Sequence, residues 1–576
     1  MKEKNLLFAQ REDVLYSFIV KEKRFDFSAK KQIGFWKKIR IHASFLRLFE
    51  DALIFLFFAL SIFIISVSFT GYEKVLKMAD IITETSTSVS TIIENPKMLH
   101  DSIVNISDKI QGLSESLDSG TYDSVSQDLF ILSKNIKKSA VLLDDLDICT
   151  QTIFENDFSC FLNVSYKYQP LFAYIEKNIE NTQTKLASLF VEDLDEYIVT
   201  FQKIYTTIQV MPEIFGDRVL HRYVILFQNA YEKRATGGFV GSFYVFDMND
   251  GYMRDQKFYD IYQFDGQSQK KTLVPALAQS LVGKEPWSLR DANISPYFET
   301  SAQYFLDFLE TAGSESRDTV IAIDNRMLED FLQVFGSIIV DDFLLDHKNI
   351  SFYLSYMTEG KFEQSPKEFI VNKVFPEIWK KAKEAELSEL LQFVIHKREN
   401  IQVFSKNDRM AYLAKMFEFG QLRASAFIDP NTIFVSQTSI SGNKSDAFIK
   451  QEITYEKRII EGVNKGVITF QRQHDWGEDQ EVLFTKLLGH FGEGKTPKKD
   501  VKRILGKGSN HALFQIFFPQ SIQNVSSINT KNIRSWQEEN HFVYELDLPL
   551  LEAGASQNSE FSFDVENEDW ELFFTQ

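Results

Sequence analysis

The chain has 576 residues, 44 % hydrophobic and 14 % aromatic, and a formal net charge of −18 at pH 7. That apolar content offsets the entropy of ordering and excludes a disordered chain, and the length exceeds what one hydrophobic core serves. Residues 1–51 hold 12 Lys and Arg against 7 Asp and Glu, whereas residues 52–576 hold 51 against 74, so the acidic bulk excludes generic nucleic-acid binding, which needs a basic face.

Residues 1–51 read as a basic cytoplasmic tail. Its Phe35 and Trp36, among lysines, rest on the inner leaflet or belong to a plain solvated linker. Residues 52–71 contain no charged side chain. At about 1.5 Å per residue, such a helix covers the roughly 30 Å hydrocarbon layer. Lys21, Lys23, Arg24, Lys30, Lys31, Lys37, Lys38, Arg40 and Arg47 precede it, and between residues 71 and 100 only Lys74, Lys77 and Lys97 follow. The positive-inside bias then places the N-terminus in the cytoplasm and the bulk outside the cell membrane, held to the lipid bilayer through 52–71. A cleaved signal peptide is the alternative, with Ser66-Val67-Ser68 as its site, but that site lies inside the apolar run and the leader is too long. A buried soluble helix is the other.

Residues 72–212 read as an extracytoplasmic helical stalk or bundle. Ile103, Ile106, Ile110, Leu113 and Leu117 recur at intervals of three and four, as do Leu194, Ile198, Phe201, Ile204 and Ile208. Coiled-coil dimerisation is the alternative, which stripes this short do not demand. Cys149 and Cys160, the two cysteines, suit a structural disulfide outside the cytoplasm or remain free thiols.

Past Pro212 the period changes, and residues 213–445 read as an α/β core with a helical insertion. Strands are expected at 223–227 and 241–246, then a helix near 301–311, a strand at 319–323, a helix at 326–335 ended by Gly336, and a strand at 337–340. That rhythm implies parallel strand pairs. Residues 345–420 read as helices. Residues 446–576 read as an all-β, sandwich-like domain, with 449–459 and 467–470 about a Gly462 turn and 477–507 as a loop.

No G-x-S-x-G, phosphate loop or H-E-x-x-H occurs, and the nine histidines are scattered, so none of these catalytic frameworks applies. Three polar segments stand out. In residues 228–242, Asn229, Arg234, Gly237 and Gly238 form a strand-end loop in which glycines admit a ligand and a forked guanidinium meets phosphate or carboxylate; pairing of Glu232 with Arg234 in a tight turn is the alternative. In 287–296, Arg290 binds an anion and Asp291 a metal, or the two pair with each other while Ser295 caps the following helix. Residues 441–446, Ser-Gly-Asn-Lys-Ser-Asp, read as a polar loop into a strand.

On "RYVILFQNAYEKRATGGFVGSF", "WSLRDANISPYFETSAQYF" with "DTVIAIDNRMLEDFLQVFGSIIV", and "SISGNKSDAFI", the chain resembles the bacterial, membrane-anchored family catalogued as domain of unknown function four thousand and twelve. It departs from that family at Ala230, Tyr297 and Glu299, which argues against a metal site near the second segment. More distantly, the order of loop arginine, Arg-Asp and helix resembles the LytR-CpsA-Psr domain, which transfers glycans from a polyprenyl pyrophosphate to the cell wall. That resemblance implies a divalent metal as cofactor, a polyprenyl-linked glycan or cell-wall polymer as partner, arginines such as Arg234 and Arg290 on the pyrophosphate, and Asp291 as the acid. Gly241-Ser242 stand where it has an acidic residue. The sequence therefore leaves three functions open: phospho-glycan transfer or hydrolysis, binding without turnover, and an envelope scaffold.

Overall fold

Tyr223-Val224-Ile225-Leu226-Phe227 is apolar throughout, with no polar partner at alternate positions, which a strand tolerates only when both of its faces are covered. The computed structural model shows such a strand. It describes residues 155–186, 195–264, 274–283, 286–360, 369–385, 387–491, 500–538, 540–565 and 570–574, with isolated positions between 108 and 152. The basic tail and the apolar run at 52–71 lie outside the described residues. Among the described residues no helix is long and apolar enough to cross a membrane.

Two helices lead in, α1 (Ser159–Leu186) and α2 (Asp195–Ile214). Leu142, Val164, Tyr168, Phe172 and Ile208 form a small core around Cys149, which is bonded to Cys160 with the Cα atoms 5.3 Å apart. Next come β1 (His221–Asn229), β2 (Phe239–Asn249) and β3 (Tyr252–Asp260). The β2–β3 turn uses two left-handed residues, Asp250 at φ 50° and Gly251 at φ 83°. The start of α1 docks on that turn. Phe158 N donates to Gly251 O at 2.6 Å and Met253 N to Asn156 O at 3.0 Å, and a Cβ on Gly251 would lie 2.6 Å from Ser159 Cα.

The chain continues through α3 (Phe298–Thr311), β4 (Thr319–Asp324) and α4 (Arg326–Phe335). It then forms β5 (Ile338–Val340), β6 (Phe343–Leu345), α5 (Ile350–Gly360), α6 (Phe375–Glu384) and α7 (Leu387–His396). Strand β7 (Ile401–Ser405), α8 (Asp408–Met416) and α9 (Gln421–Ile428) follow. The first sheet has the order β3-β2-β1-β4-β7. Its β1–β4 pair is parallel and its β4–β7 pair antiparallel. Strand β7 thus interrupts the stretch expected to be helical; five residues are too few to show a period against helical flanks. The strand expected at 337–340 forms, but it pairs with β6 in a separate two-stranded sheet.

Both faces of β1 are covered. Tyr223 packs with Val210, Phe246, Met248 and Met410 beneath α2 and α8. Val224 and Leu226 join Phe243, Val320, Phe305 and Leu309 beneath α3.

The C-terminal part is rich in β structure. It comprises β8 (Thr432–Ser439), β9 (Ile449–Ile460), β10 (Val463–His474), β11 (Ala512–Phe518), β12 (Ser526–Ile528), β13 (Asn532–Glu538), β14 (His541–Asp547), β15 (Ser556–Asp564) and β16 (Glu571–Phe574). Sheets β13-β14-β11-β8-β16 and β12-β15-β10-β9 share a core of Val435, Phe470, Phe514, Phe518, Leu546, Phe561 and Phe563. The other face of the first of these sheets supplies Phe434, Phe517 and Val543 to the α/β core, so the two regions are joined by apolar packing.

Residues 477–507 are not simply a loop. Helix α10 (Glu478–Phe491) runs through them, and Phe484, Leu487, Val501 and Leu505 pack with Tyr353 and Tyr356 of α5. The surrounding charged residues mask this apolar stripe in the sequence.

Candidate functional site

In parallel register Gln228 faces Asp324, at the carboxyl ends of β1 and β4. Open α/β sheets present ligand-binding loops at such ends. The segment from Ala230 to Gly238 leaves β1 there and folds back on itself. Glu232 N donates to Asn229 O at 3.0 Å, Gly237 N to Arg234 O at 2.9 Å and Phe239 N to Glu232 O at 2.8 Å. Asn229 Oδ1 accepts from Tyr231 N at 3.1 Å, so this side chain closes the turn. Asn325 Oδ1 holds the loop's Ala230 N at 2.8 Å.

The two glycines make the fold-back possible. A Cβ on Gly238 would lie 2.3 Å from the Asn229 carbonyl, and one on Gly237, whose φ is +136°, would lie 2.8 Å from Gln228 Oε1. Their missing side chains are filled by the loop's own neighbours.

The loop gathers the second segment on one side. Arg234, 6 % exposed, donates from Nη1 to Ser439 O at 2.7 Å and to Lys233 O at 3.2 Å. Its Nη2 lies 3.5 Å from Glu232 Oε1 and 3.6 Å from Asp291 Oδ1, and the guanidinium covers the Phe239 ring at 5.2 Å. Arg290 Nε lies 3.4 Å from Asp291 Oδ2, its side chain 37 % exposed. Arg234, Asp291 and Arg290 therefore form one line of alternating charge. Both Asp291 oxygens face guanidinium groups, an arrangement that does not fit a divalent cation, and among the described residues no cluster of three His, Cys, Asp or Glu is placed to hold one. Asn293 ties the segments further, donating to Thr236 Oγ1 at 3.0 Å and Gly238 O at 2.8 Å. Ser295 Oγ accepts from Tyr297 N at 3.2 Å, within the turn that precedes α3.

The third segment grips the same loop from the side of the β-rich C-terminal part. Asp446 accepts from Lys233 N at 2.9 Å, Gln437 Nε2 at 3.1 Å and Asn510 Nδ2 at 2.8 Å. Ser439 N donates to Lys233 O at 2.9 Å. Asn443 Oδ1 accepts from Ser445 N at 2.9 Å and its Nδ2 donates to Ser509 O at 3.0 Å, shaping the turn that aims Asp446.

Charge is concentrated here. Burial pushes the Glu232 carboxyl up, against the pull of Arg234 and Lys444. Burial pushes the Lys233 ammonium down to about 8; Asp446 opposes this, while Arg326, Arg472 and Arg423 add to it. Arg423 is held down to about 10 by burial and by Arg326, and Arg472 to about 10 by burial. Arg423 Nη1 reaches Ala235 O of the loop at 3.3 Å. Lys233, Arg326, Arg423, Asp446, Asn293 and Thr236 were not singled out from the sequence. The place of Asp446 inside the third polar segment was the available signal for it, and nothing in local spacing pointed to the distant arginines.

Fold and site together define a mixed α/β domain backed by β-rich sheets, its polar centre built on a strand-end loop. Residues 220–356 match the model of the family described as "Protein of unknown function (DUF4012)", in keeping with the resemblance carried by the first two segments. No curated protein matches the chain. Among solved structures, protein gbs0355 from Streptococcus agalactiae is similar at 14 % identity, over 37 % of this chain and 77 % of that one, with a TM-score of 0.25. TagV of B. subtilis matches at 11 % identity over 48 % of this chain and 98 % of that one, TM-score 0.22. Lin1025 from Listeria innocua matches at 10 % identity over 48 % and 99 %, TM-score 0.20.

Proposed function

We propose that this chain is a single-pass, membrane-anchored cell-envelope protein that binds a lipid-linked phosphate or glycan outside the cytoplasm without turning it over. The observation that carries this reading is the meeting of the three polar segments on one strand-end loop, with Arg234 3.6 Å from Asp291 and Lys233 N 2.9 Å from Asp446. The loop lies where α/β sheets bind ligands. It also gathers cations in a chain whose net charge is −18. Within the site, Arg234 acts as a buried strut and Arg290 as the partly exposed cation. Asp291 orients both guanidinium groups. Anchoring rests on the apolar run at 52–71 and the basic residues before it.

Calorimetric titration of the full chain in detergent micelles with a polyprenyl phosphate tests the binding, and protease treatment of intact spheroplasts tests the topology. Saturable binding, with trimming to a remnant of about 75 residues, is the expected result. A folded protein that binds no phosphate lipid would reduce the site to a clamp between core and sandwich. The burial of Arg234 favours that scaffold reading as the alternative.

A further inference from the structure

The segment that fastens α1 to the first sheet is closed by the disulfide. Cys149 lies in helical backbone and Cys160 in the first turn of α1, 11 positions on. Between them, Asn156, Asp157 and Phe158 reach the β2–β3 turn. Met253 N donates to Asn156 O at 3.0 Å and Phe158 N to Gly251 O at 2.6 Å, and Asp157 forms a single antiparallel bridge with Tyr252. Phe158 stacks on Phe215 at 5.5 Å, and Phe161 on the same ring at 5.4 Å. From its other side the turn is tied to the end of α2, with Gly251 N on Phe215 O and Asp250 N on Gly216 O, both at 2.8 Å.

The shape of the docking segment is a demanding one. Asn156 holds left-handed backbone at φ 60°, and Glu155 N and Asp157 N share the Thr152 carbonyl, at 2.9 and 3.3 Å. A bridge one pair long adds little once the cost of ordering the chain is set against it. A covalent link between the segment's ends removes most of the conformations the open segment would adopt. The disulfide therefore supplies the order that the dock needs.

The two sulfurs are placed unequally. Cys149 is fully buried beside Leu142, Val164 and Tyr168, whereas Cys160 is half-buried at the margin of that core. A thiolate arriving from solvent thus attacks the Cys160 sulfur. A bond forms between those two sulfurs, the Cys149–Cys160 bond breaks, and Cys149 leaves as a thiolate that takes up a proton. The second thiol of the same dithiol then displaces Cys160, and the reagent departs as a disulfide, having given two electrons and two protons. Exchange with an oxidised partner runs the same steps in reverse.

We infer that Cys149–Cys160 is a redox-set latch. Oxidised, it docks the start of α1 on the β2–β3 turn; reduced, it lets that contact open while the first sheet stays folded. The reactant it calls for is a dithiol–disulfide exchange protein. The latch is independent of the phosphate-ligand reading, because no residue of the strand-end loop takes part in it.

The test is amide hydrogen exchange, read by mass spectrometry at residue resolution, on the full chain in detergent micelles. Three forms are compared: oxidised, reduced by dithiothreitol under native conditions, and Cys160→Ser. In the last two, the Phe158 and Met253 amides exchange about thirty- to a thousandfold faster, the release of a constraint on a loop of this length. Leu226 on β1 and Val320 on β4 keep their protection, and reoxidation by glutathione disulfide restores slow exchange at Phe158 and Met253. Unchanged exchange at those two amides in both altered forms overturns the latch. Equal acceleration at Leu226 and Val320 overturns it too, since the bond would then brace the whole fold. A disulfide that dithiothreitol leaves intact in the native protein, or fast exchange that persists after the bond has re-formed, overturns its redox setting.

Discussion

Replacing Asp446 with alanine tests the joint on which the site depends. The carboxylate is 5 % exposed and accepts from Lys233 N, Gln437 Nε2 and Asn510 Nδ2 at 2.9, 3.1 and 2.8 Å. Hydrogen bonds to a charged group contribute about 1.5–3 kcal/mol each. Part of that sum is offset because a buried carboxylate no longer has to be desolvated. Removing one partner of a buried charged network costs about 3–5 kcal/mol, and that range is the expected loss. At roughly 2–4 °C per kcal/mol for a large domain, Tm falls by about 6–20 °C. Asp446→Asn keeps one acceptor oxygen and turns an NH2 towards a donor, so its loss is about half as large. Scanning calorimetry and urea unfolding read both variants. Asp446→Ala melting within about 1 °C of wild type, or Asp446→Asn costing more than Asp446→Ala, would refute the reasoning.

Gly238→Ala forces a Cβ to 2.3 Å from the Asn229 carbonyl, so the loop must move; an overpacking cost of about 1–3 kcal/mol is expected in urea unfolding. For Lys233, a folded midpoint near 8 lies below the ordinary 10.5. The unfolded chain therefore binds more protons between those values, and stability rises as pH increases through that window. A Lys233→Met variant lacks this rise, which parallel urea titrations at pH 7.5 and 9.5 would detect as a smaller difference between the two conditions. Reducing Cys149–Cys160, which spans 11 positions, removes about 2–4 kcal/mol by releasing the unfolded chain; thiol labelling under denaturing conditions before reductant should leave both cysteines unmodified.

Local pattern made some elements legible. The bounds 326–335 expected for a helix are those of α4, because an amphipathic stripe ends at a glycine with φ 91°. The strand expected at 319–323 became β4, extended by one residue to Asp324. Short elements were not legible: β7 has five residues between helices, and its membership in the first sheet depends on pairing with Val320 and Ile321, some eighty positions earlier. Strand β8 shows the same limit at a boundary. It precedes residue 446 yet lies between β11 and β16, since sheet membership is decided by partners and not by neighbours in sequence. In the site, Arg234 and Asp291 were visible as residue types in suggestive loops, but the depth of Arg234 depends on the Ser439 carbonyl, 205 positions away. Lys233 was hidden for the same reason, since its surroundings come from α4, α9 and β10.

The docking of α1 on the β2–β3 turn has a mechanical consequence. Backbone bonds Phe158–Gly251 and Met253–Asn156 fasten the helix to one end of β2, and the loop of Gly237 and Gly238 leaves its other end at Phe239. Eleven strand residues separate them, a strut of about 36 Å at about 3.3 Å per residue. Hydrogen bonds to β1 and β3 brace that strut along its length. A push or pull delivered through α1 is thus carried lengthwise as tension or compression. It reaches the loop by shifting the whole sheet, with give at the register shifts between Val245 and Asp247 and between Phe227 and Gln228.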